Sequence, residues 1–338
     1  MQIKHFIGID VSKETLDVAL VDEHGKVVTY ERIKNNCKHI TRMITEFKKA
    51  HNIDLGLTIF CMEYTGIYNQ VMIDYLNKHE GKIWMESALQ IKRSLGAVRG
   101  KNDKVDSIRI AEYAFTNRHN FKRWRAPRAI VLRISLLLAQ RERFVNTRKQ
   151  LSVPIKELRG FTSKAELKSL EAINAKPLKS LDKAVIAIER EILLEIRSDS
   201  RLDQLYRIIT SVDGVGKITA TYIITTTNEF IKINEAKKYA CYGGVVPFDH
   251  SSGSSVRGKS RVSHMANKKI KCLLHLVAMS SIRMEGDMQN YYKRKVAEGK
   301  HKMSVLNAIR NKIVHRVFAC VRDNRAYQKN YQYALVKP

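Results

Sequence analysis

Lys4-His5-Phe6-Ile7-Gly8-Ile9-Asp10-Val11 is an apolar run that delivers one carboxylate at its end. A short run of this kind, bounded by turn residues, reads as a buried strand. Ser12-Lys13-Glu14 turns the chain, and 15–21 reads as a second strand. Asp22-Glu23-His24-Gly25 is a hairpin turn before a third strand at 26–33. Ile40, Met43, Ile44 and Phe47 have helical spacing within 37–50. A fourth strand, 57–62, ends at Glu63, and 82–85 is a fifth. Helices are expected at 68–77, 87–95 and from Asp103 to about 116.

Three antiparallel strands, a helix, then alternating strand and helix is the order of an α/β, ribonuclease-H-like domain. Asp10 and Glu63 each close an apolar strand, the edge of an α/β sheet where sites form. Asp103 and Asp106 lie three apart at a helix start and so share a face. Four carboxylates around one point repel one another, and Mg²⁺ or Mn²⁺ would relieve that repulsion. Each acid taken alone has a plainer reading. Asp10 can cap its turn, Glu63 can be a chance strand end, and Asp103 and Asp106 can serve their helix N-terminus. Asp17 and Asp74 read as solvated.

Charge separates the chain into unequal parts. Over 338 residues, 61 Lys and Arg face 33 Asp and Glu, a net +28. Residues 1–120 carry only +3, 121–250 carry +10, and 251–338 carry +15 with 19 basic and 4 acidic residues. A surplus of this size points to a polyanion, most simply nucleic acid, bound chiefly by the last part. The cysteines, Cys37, Cys61, Cys241, Cys272 and Cys320, are odd in number and form no CxxC pair. That argues against a disulfide framework or zinc site and for a reducing cytoplasm. No leader peptide and no membrane-spanning run is expected.

Phe121-Lys-Arg-Trp-Arg-Ala-Pro-Arg128 reads as a basic linker that either lies along a nucleic-acid backbone or is simply solvated. A long helix is expected over 129–152, stopped by Pro154, then a polar loop or short helical segment over 155–178, then a second long helix over 178–210. Leu181, Val185, Ile188 and Ile192 follow the spacing of a coiled-coil seam, so the pair reads either as a protruding hairpin for self-association or as an ordinary helical core packed within one chain. Val212-Asp-Gly214-Val-Gly216-Lys217 fits a helix-hairpin-helix, whose second helix offers backbone N–H groups to a phosphate and Lys217 a charge. A helix over 235–244 ends at Gly243-Gly244. Val245 to Ser255 then reads as a small polar loop, with Arg257, Lys259 and Arg261 behind it. His250 and His264 read as solvated loop histidines, and no Ser/His/Asp arrangement is evident. In the helix over 304–322, Val305, Ile309, Ile313 and Val317 face inward and Arg310, Lys312, Arg316 and Arg322 outward. Tyr291 and Tyr292 either stack on bases or pack, and 325–338 reads as a loose tail.

Phe6-Ile-Gly-Ile-Asp10-Val-Ser-Lys13, Met62-Glu63-Tyr-Thr-Gly66 and Lys101-Asn-Asp103-Lys-Val-Asp106 resemble the amino-terminal DEDD domain of IS110-family transposases, which include the Piv-type DNA invertases. Gly243-Gly-Val-Val-Pro247, Ser252-Gly253, Arg257-Gly258, Val262-Ser263 and Asn267 are similar to that family's C-terminal transposase domain. The resemblance implies a RuvC-like fold with Asp10, Glu63, Asp103 and Asp106 as metal ligands and catalytic residues. It implies Ser252 as nucleophile, with Ser251 the near competitor. Ala266 stands where the family often has glycine, and Ile270-Lys271 where it has Leu-Arg. The divisions it implies are a RuvC-like domain at 1–125, a coiled-coil insert at 126–205, and a mainly α transposase domain with the helix-hairpin-helix at 206–338. Lys217, Arg257, Lys259, Arg261, Lys268, Lys269 and Lys271 are the candidate nucleic-acid contacts. Donor and target DNA, a structured bridge RNA and a homodimer or homotetramer are the partners implied. A metal-only junction nuclease, a Piv-like invertase and a non-enzymatic nucleic-acid-binding protein whose acids are structural are the alternatives.

Overall fold

The computed structural model describes residues 3–94, 102–252, 256–262 and 265–329; over 249–252 and 256–261 it describes the backbone. The chain divides into two compact units, Met1–Ala126 and Pro127–Pro338.

The first unit is built on β1 (His5–Val11), β2 (Thr15–Val21) and β3 (Val27–Lys34), followed by α1 (Cys37–His51), β4 (Thr58–Glu63), α2 (Gln70–Lys78), β5 (Lys82–Glu86), α3 (Ala88–Ser94) and α4 (Asp103–Thr116). The strands form one mixed sheet in the order β3-β2-β1-β4-β5. β1 lies antiparallel to β2 and parallel to β4, and β4 is parallel to β5. β1 is central and buried on both faces, so its apolar residues do not alternate with polar ones. Ile7, Ile9, Leu16, Val18 and Phe60 pack with Ile40, Met43 and Phe47 of α1 on one face. Phe6, Ala19, Ile59 and Trp84 pack with Ile110, Ala111 and Ala114 of α4 on the other.

Gly8 sets how closely α4 lies on the sheet. A Cβ at Gly8 would stand 2.2 Å from both the Ser107 carbonyl oxygen and the Ala111 nitrogen, atoms that cannot swing aside. Gly8→Ala is therefore expected to destabilise the first unit by about 3 kcal/mol, read as a lowered urea midpoint with an unchanged slope.

The second unit holds α5 (Ala129–Glu157), α6 (Lys164–Ser198), α7 (Ser200–Thr210), α8 (Lys217–Thr227), α9 (Ala236–Tyr242), β6 (Pro247–Ser252), β7 (Val256–Val262), α10 (Lys268–Ser281), α11 (Asp287–Ala297) and α12 (Lys302–Arg322). Val131, Ile134 and Leu138 of α5 and Ile192 and Ile196 of α6 share one core with α7 to α12. Beyond that core the two long helices pair antiparallel, crosslinked by Arg133 to Glu191 and Glu195, Arg141 to Glu189 and Arg148 to Asp182.

Several expectations are corrected here. Pro154 does not stop α5, which continues to Glu157 with the Leu158 N–H bonded to the Pro154 carbonyl. Pro154 lies in the last turn, so it forfeits one bond without redirecting the chain. The loop expected over 155–178 shrinks to 158–163, because Ser163 and Glu166 form a reciprocal capping box that starts α6. Pro177 lies inside α6, where pairing with α5 outweighs the lost bond. The helix expected over 178–210 breaks at Asp199, which caps α7 through the Leu202 N–H. Trp124 is not a free linker residue: its N–H bonds the Ile83 carbonyl and its ring packs against the first core, while Phe121 lies edge-on to Trp84. The polar loop after Val245 is a hairpin, β6 paired antiparallel with β7; Gly253, Ser254 and Ser255 lie outside the described residues.

An ion cluster around buried Glu229 ties the start of α5 to the rest of its unit. Arg128 donates to Asp199 at 2.6 Å and to buried Glu229 at 2.6 Å, and Arg201 also reaches Glu229. Glu229 sits in a left-handed turn with Asn228 and Phe230, all at positive φ, a conformation that neighbours must enforce. The Arg128 guanidinium, then the Leu202 N–H, hold the Asp199 carboxyl down at about 2 from an ordinary 3.8. A depressed carboxyl stabilises the fold above its unfolded pKa, and that contribution fades as pH falls through its folded one. The wild-type advantage over Asp199→Asn in urea unfolding is expected to be full at pH 5 and to shrink between pH 4 and 2.

Candidate functional site

Four carboxylates stand in one row across the end of the sheet. Asp10 of β1 faces Asp17 of β2, and Asp17 faces Arg32 of β3. On the other side Ile9 is in register with Met62, so Asp10 and Glu63 are neighbours one step on, and Glu63 is in register with Glu86 of β5. Adjacent strands lie about 5 Å apart. The row Asp17, Asp10, Glu63, Glu86 therefore concentrates negative charge at the C-terminal edge of β1, β4 and β5.

α4 brings two more acids to the same face. It runs antiparallel to β1: the rings of Phe6 and Phe115 meet at 5.5 Å, and Gly8 lies against Ser107 and Ala111. Two residues along a strand and four along a helix advance by similar lengths. The next step sets Asp10 opposite the first turn of α4, where Asn102 caps the helix and Asp103 and Asp106 begin it. The backbone thus gathers Asp10, Glu63, Asp103 and Asp106 at one edge.

Asp17 and Glu86 are additions to the expected set. Asp17 was expected to be solvated, but it is 2% exposed. Tyr30 donates to it at 2.5 Å, and Arg32 bridges it at 3.7 Å to Asp103 at 3.5 Å. Burial, then Asp17, push the Tyr30 phenol up to about 12. Glu86 accepts from Tyr113 at 3.1 Å. Burial, then Glu86 and Glu63, push the Cys61 thiol up, so it stays an inert core thiol. The signal for Asp17 was its phase with Ala19 and Val21, but its partner Asp10 is known only from strand pairing. Asp74 is exposed and bonded to Gln70, as a solvated helix residue should be.

Among the described residues no three His, Cys, Asp or Glu side chains are gathered closely enough to hold an ion. Asp103 is turned to Arg32 and Asp106 to Arg109 at 3.0 Å. The donors nonetheless suit a hard divalent cation, being carboxylate oxygens brought by three different elements.

In the second unit, Ser251 and Ser252 end β6, and Ser252 is in register with Val256 across the turn. Arg257, Lys259 and Arg261 occupy alternate positions of β7. Both feet of the hairpin are anchored. Asn307 donates to the Val245 carbonyl at 2.8 Å, and Asn267 bonds Tyr242 through its backbone and side chain while capping α10. Gly244, at φ +63, lets Ala266 press against the turn; a Cβ there would meet that of Ala266 at 2.4 Å. Arg310, expected outward, is 6% exposed and donates to His275 Nδ1 at 2.7 Å. α12 packs on several helices at once, so its buried face is wider than one stripe. Arg316, also expected outward, is half-buried and bonds Asp287 and Tyr327.

Gly214, at φ +84, turns the chain between α7 and α8 and presses on α10, whereas Gly216 and Lys217 are open to solvent at the start of α8. Lys268 is exposed, and Lys271 is half-buried. The Lys269 ammonium pairs with Glu142 of α5 and lies over the Tyr222 ring. Tyr291 and Tyr292 pack against the core, with Lys312 over the Tyr291 ring at 4.8 Å, which favours packing. His264 and the side chain of His250 lie outside the described residues. Among the described residues no helix is long and apolar enough to cross a membrane.

An acid-edged α/β unit joined to a basic helical unit defines a class of protein suited to chemistry on a polyanion. Comparison with known proteins narrows it. Residues 7–158 match the DEDD transposase family of IS110, and residues 206–293 match the family described as Transposase IS116/IS110/IS902. The pilin gene-inverting protein of Moraxella bovis is 25% identical over 332 residues, covering 96% of this chain and 98% of that protein. The uncharacterized 44.8 kDa protein of insertion element IS116 from Streptomyces clavuligerus is 19% identical, covering 95% of this chain and 96% of that protein. The uncharacterized 43.6 kDa protein of insertion element IS110 from Streptomyces coelicolor is 29% identical over 153 residues, covering 44% of this chain and 37% of that protein. The chain belongs to the IS110 family of transposases and is a DNA recombinase of that family.

Proposed function

We propose that the protein cuts and exchanges DNA strands through a covalent link between Ser252 and a DNA 5′ phosphate. The observation that carries this reading is the placement of Asp10, Glu63, Asp103 and Asp106 at one edge of the first unit. The first unit is read as a RuvC-like, ribonuclease-H-type domain whose acids bind the metal. Mg²⁺ or Mn²⁺ held there would supply positive charge to the phosphate and lower the cost of forming alkoxides.

The serine oxygen attacks phosphorus, the bond to the 3′ oxygen breaks, and the serine proton leaves to a base or solvent. One phosphodiester is exchanged for another, so no nucleotide cofactor is consumed. Rejoining reverses the step with a new 3′ hydroxyl. The hairpin anchored by Asn267 and Asn307 carries the serine. Arg257, Lys259, Arg261, Lys268 and Lys271, with Lys217 on α8, contact the backbone of the nucleic acid. Lys269 would join them only on release from Glu142.

The surplus of charge over 251–338 also suits a structured RNA pairing with donor and target DNA. Of the expected seam, Ile192 is buried in the core of its own unit and Ile188 packs against that core, so self-association in a dimer or tetramer would instead use exposed Leu136, Ile173, Ile186 and Leu194 of α5 and α6. The near full-length match to a pilin gene-inverting protein favours a second reading, inversion in place of transposition. The two share the chemistry and differ in the arrangement of DNA sites.

The test is a denaturing gel of the protein with labelled element-junction DNA, co-expressed flanking RNA and Mg²⁺. A labelled band at protein size that protease removes is the expected product. Cut DNA without such a band would instead indicate hydrolysis by the acid site alone.

A further inference from the structure

The loop after Glu63 is braced from within and bare on the outside. Asn69 has no exposed surface. Its Oδ1 accepts from the Thr65 backbone N–H at 2.7 Å and the Thr65 hydroxyl at 2.9 Å, and its Nδ2 donates to the Glu63 carbonyl at 2.8 Å. Gly66 turns the chain at φ +79 with open space beside it. On this frame Tyr64 is 69% exposed and Ile67 is 72% exposed. A buried amide with three hydrogen bonds thus orders a segment whose large apolar side chains stay mostly exposed. Ordering without burial is costly, and exposed apolar surface on a fixed frame marks a place of contact.

Position selects the partner. Tyr64 directly follows Glu63, which stands beside Asp10 in the acid row. A phosphodiester drawn to that row carries a base on either side, and those bases are the nearest flat apolar surfaces it can offer. Aromatic side chains stack on unpaired bases of any sequence, and strand exchange requires bases to unpair.

Resting on the function proposed above, we propose that Tyr64, with Ile67 on the same loop, stacks on an unpaired DNA base next to the phosphodiester at the acid row and so sets which bond is presented. Tyr64 acts as a binding group for the flanking nucleotide. It takes no part in proton transfer.

The experiment uses full-length protein and junction DNA whose cut has been mapped with the wild type. Tyr64→Ala and Tyr64→Phe are compared on that DNA and on a series with one abasic nucleotide at each position around the cut. Tyr64→Ala is expected to cut about tenfold more slowly, and Tyr64→Phe to recover most of the loss, since the ring does the stacking. One abasic position should slow the wild type by about the same factor and leave Tyr64→Ala no slower than before, because both changes remove one contact. A Tyr64→Ala rate within about twofold of wild type, or penalties that multiply at every position, would overturn the proposal. So would a change of oligomeric state in Tyr64→Ala with no change in cutting, which would assign the loop to a protein contact. Asp10→Asn runs in parallel. If it still cuts, the acid-row reading fails and the stacking role with it; if it is inactive while Tyr64→Ala is normal, the stacking role alone fails.

Discussion

Ser252→Ala is expected to abolish the protein–DNA adduct and to slow strand exchange by at least about 10³-fold. The serine oxygen is the atom proposed to join phosphorus, and alanine removes it. The loss should be of chemistry, with DNA binding kept, because the basic positions of β7 and α10 are untouched. Ser251→Ala tests the adjacent hydroxyl and should keep the adduct. An adduct that vanishes in Ser251→Ala and persists in Ser252→Ala would move the nucleophile by one residue. Cutting at the wild-type rate by Ser252→Ala would leave a metal-dependent junction nuclease in which water attacks.

Asp10→Asn is expected to reduce adduct formation by about 10³-fold. Asp10 holds the central place of the site, between Asp17 and Glu63 in the row and opposite the first turn of α4. Asparagine keeps the shape and removes one negative charge. Unfolding should change little, since relief of repulsion along the row offsets any lost contact. Mn²⁺ binding measured by calorimetry should weaken in the same variant. Unaltered Mn²⁺ binding with unaltered DNA binding would favour a protein whose acids are only structural.

Much of the first unit was legible because its signals are local. Apolar runs gave the five strands, and the turns at Ser12 and Gly25 gave the antiparallel order. Asp10 and Glu63 were visible as strand ends, Asp103 and Asp106 as a helix start. Long-range signals were harder. The 163–166 capping box was in plain view, yet the stop expected at Pro154 fails because that residue lies in the last turn of α5. A single apolar stripe on α12 would leave Arg310 outward, but the helix packs on several neighbours and buries it.

Composition and pattern alone determined an α/β first part, a basic last part and four candidate acids, since charge totals and periodicity are properties of the chain itself. Pairing decided the rest. Asp17 became part of the acid row only when β2 lay against β1, and Glu86 only when β5 lay against β4. Gly8 acquired its role only when α4 came down on it, and Tyr64 only when buried Asn69 held its loop open to solvent. Those roles depend on contacts between residues far apart in the chain, which no local pattern encodes.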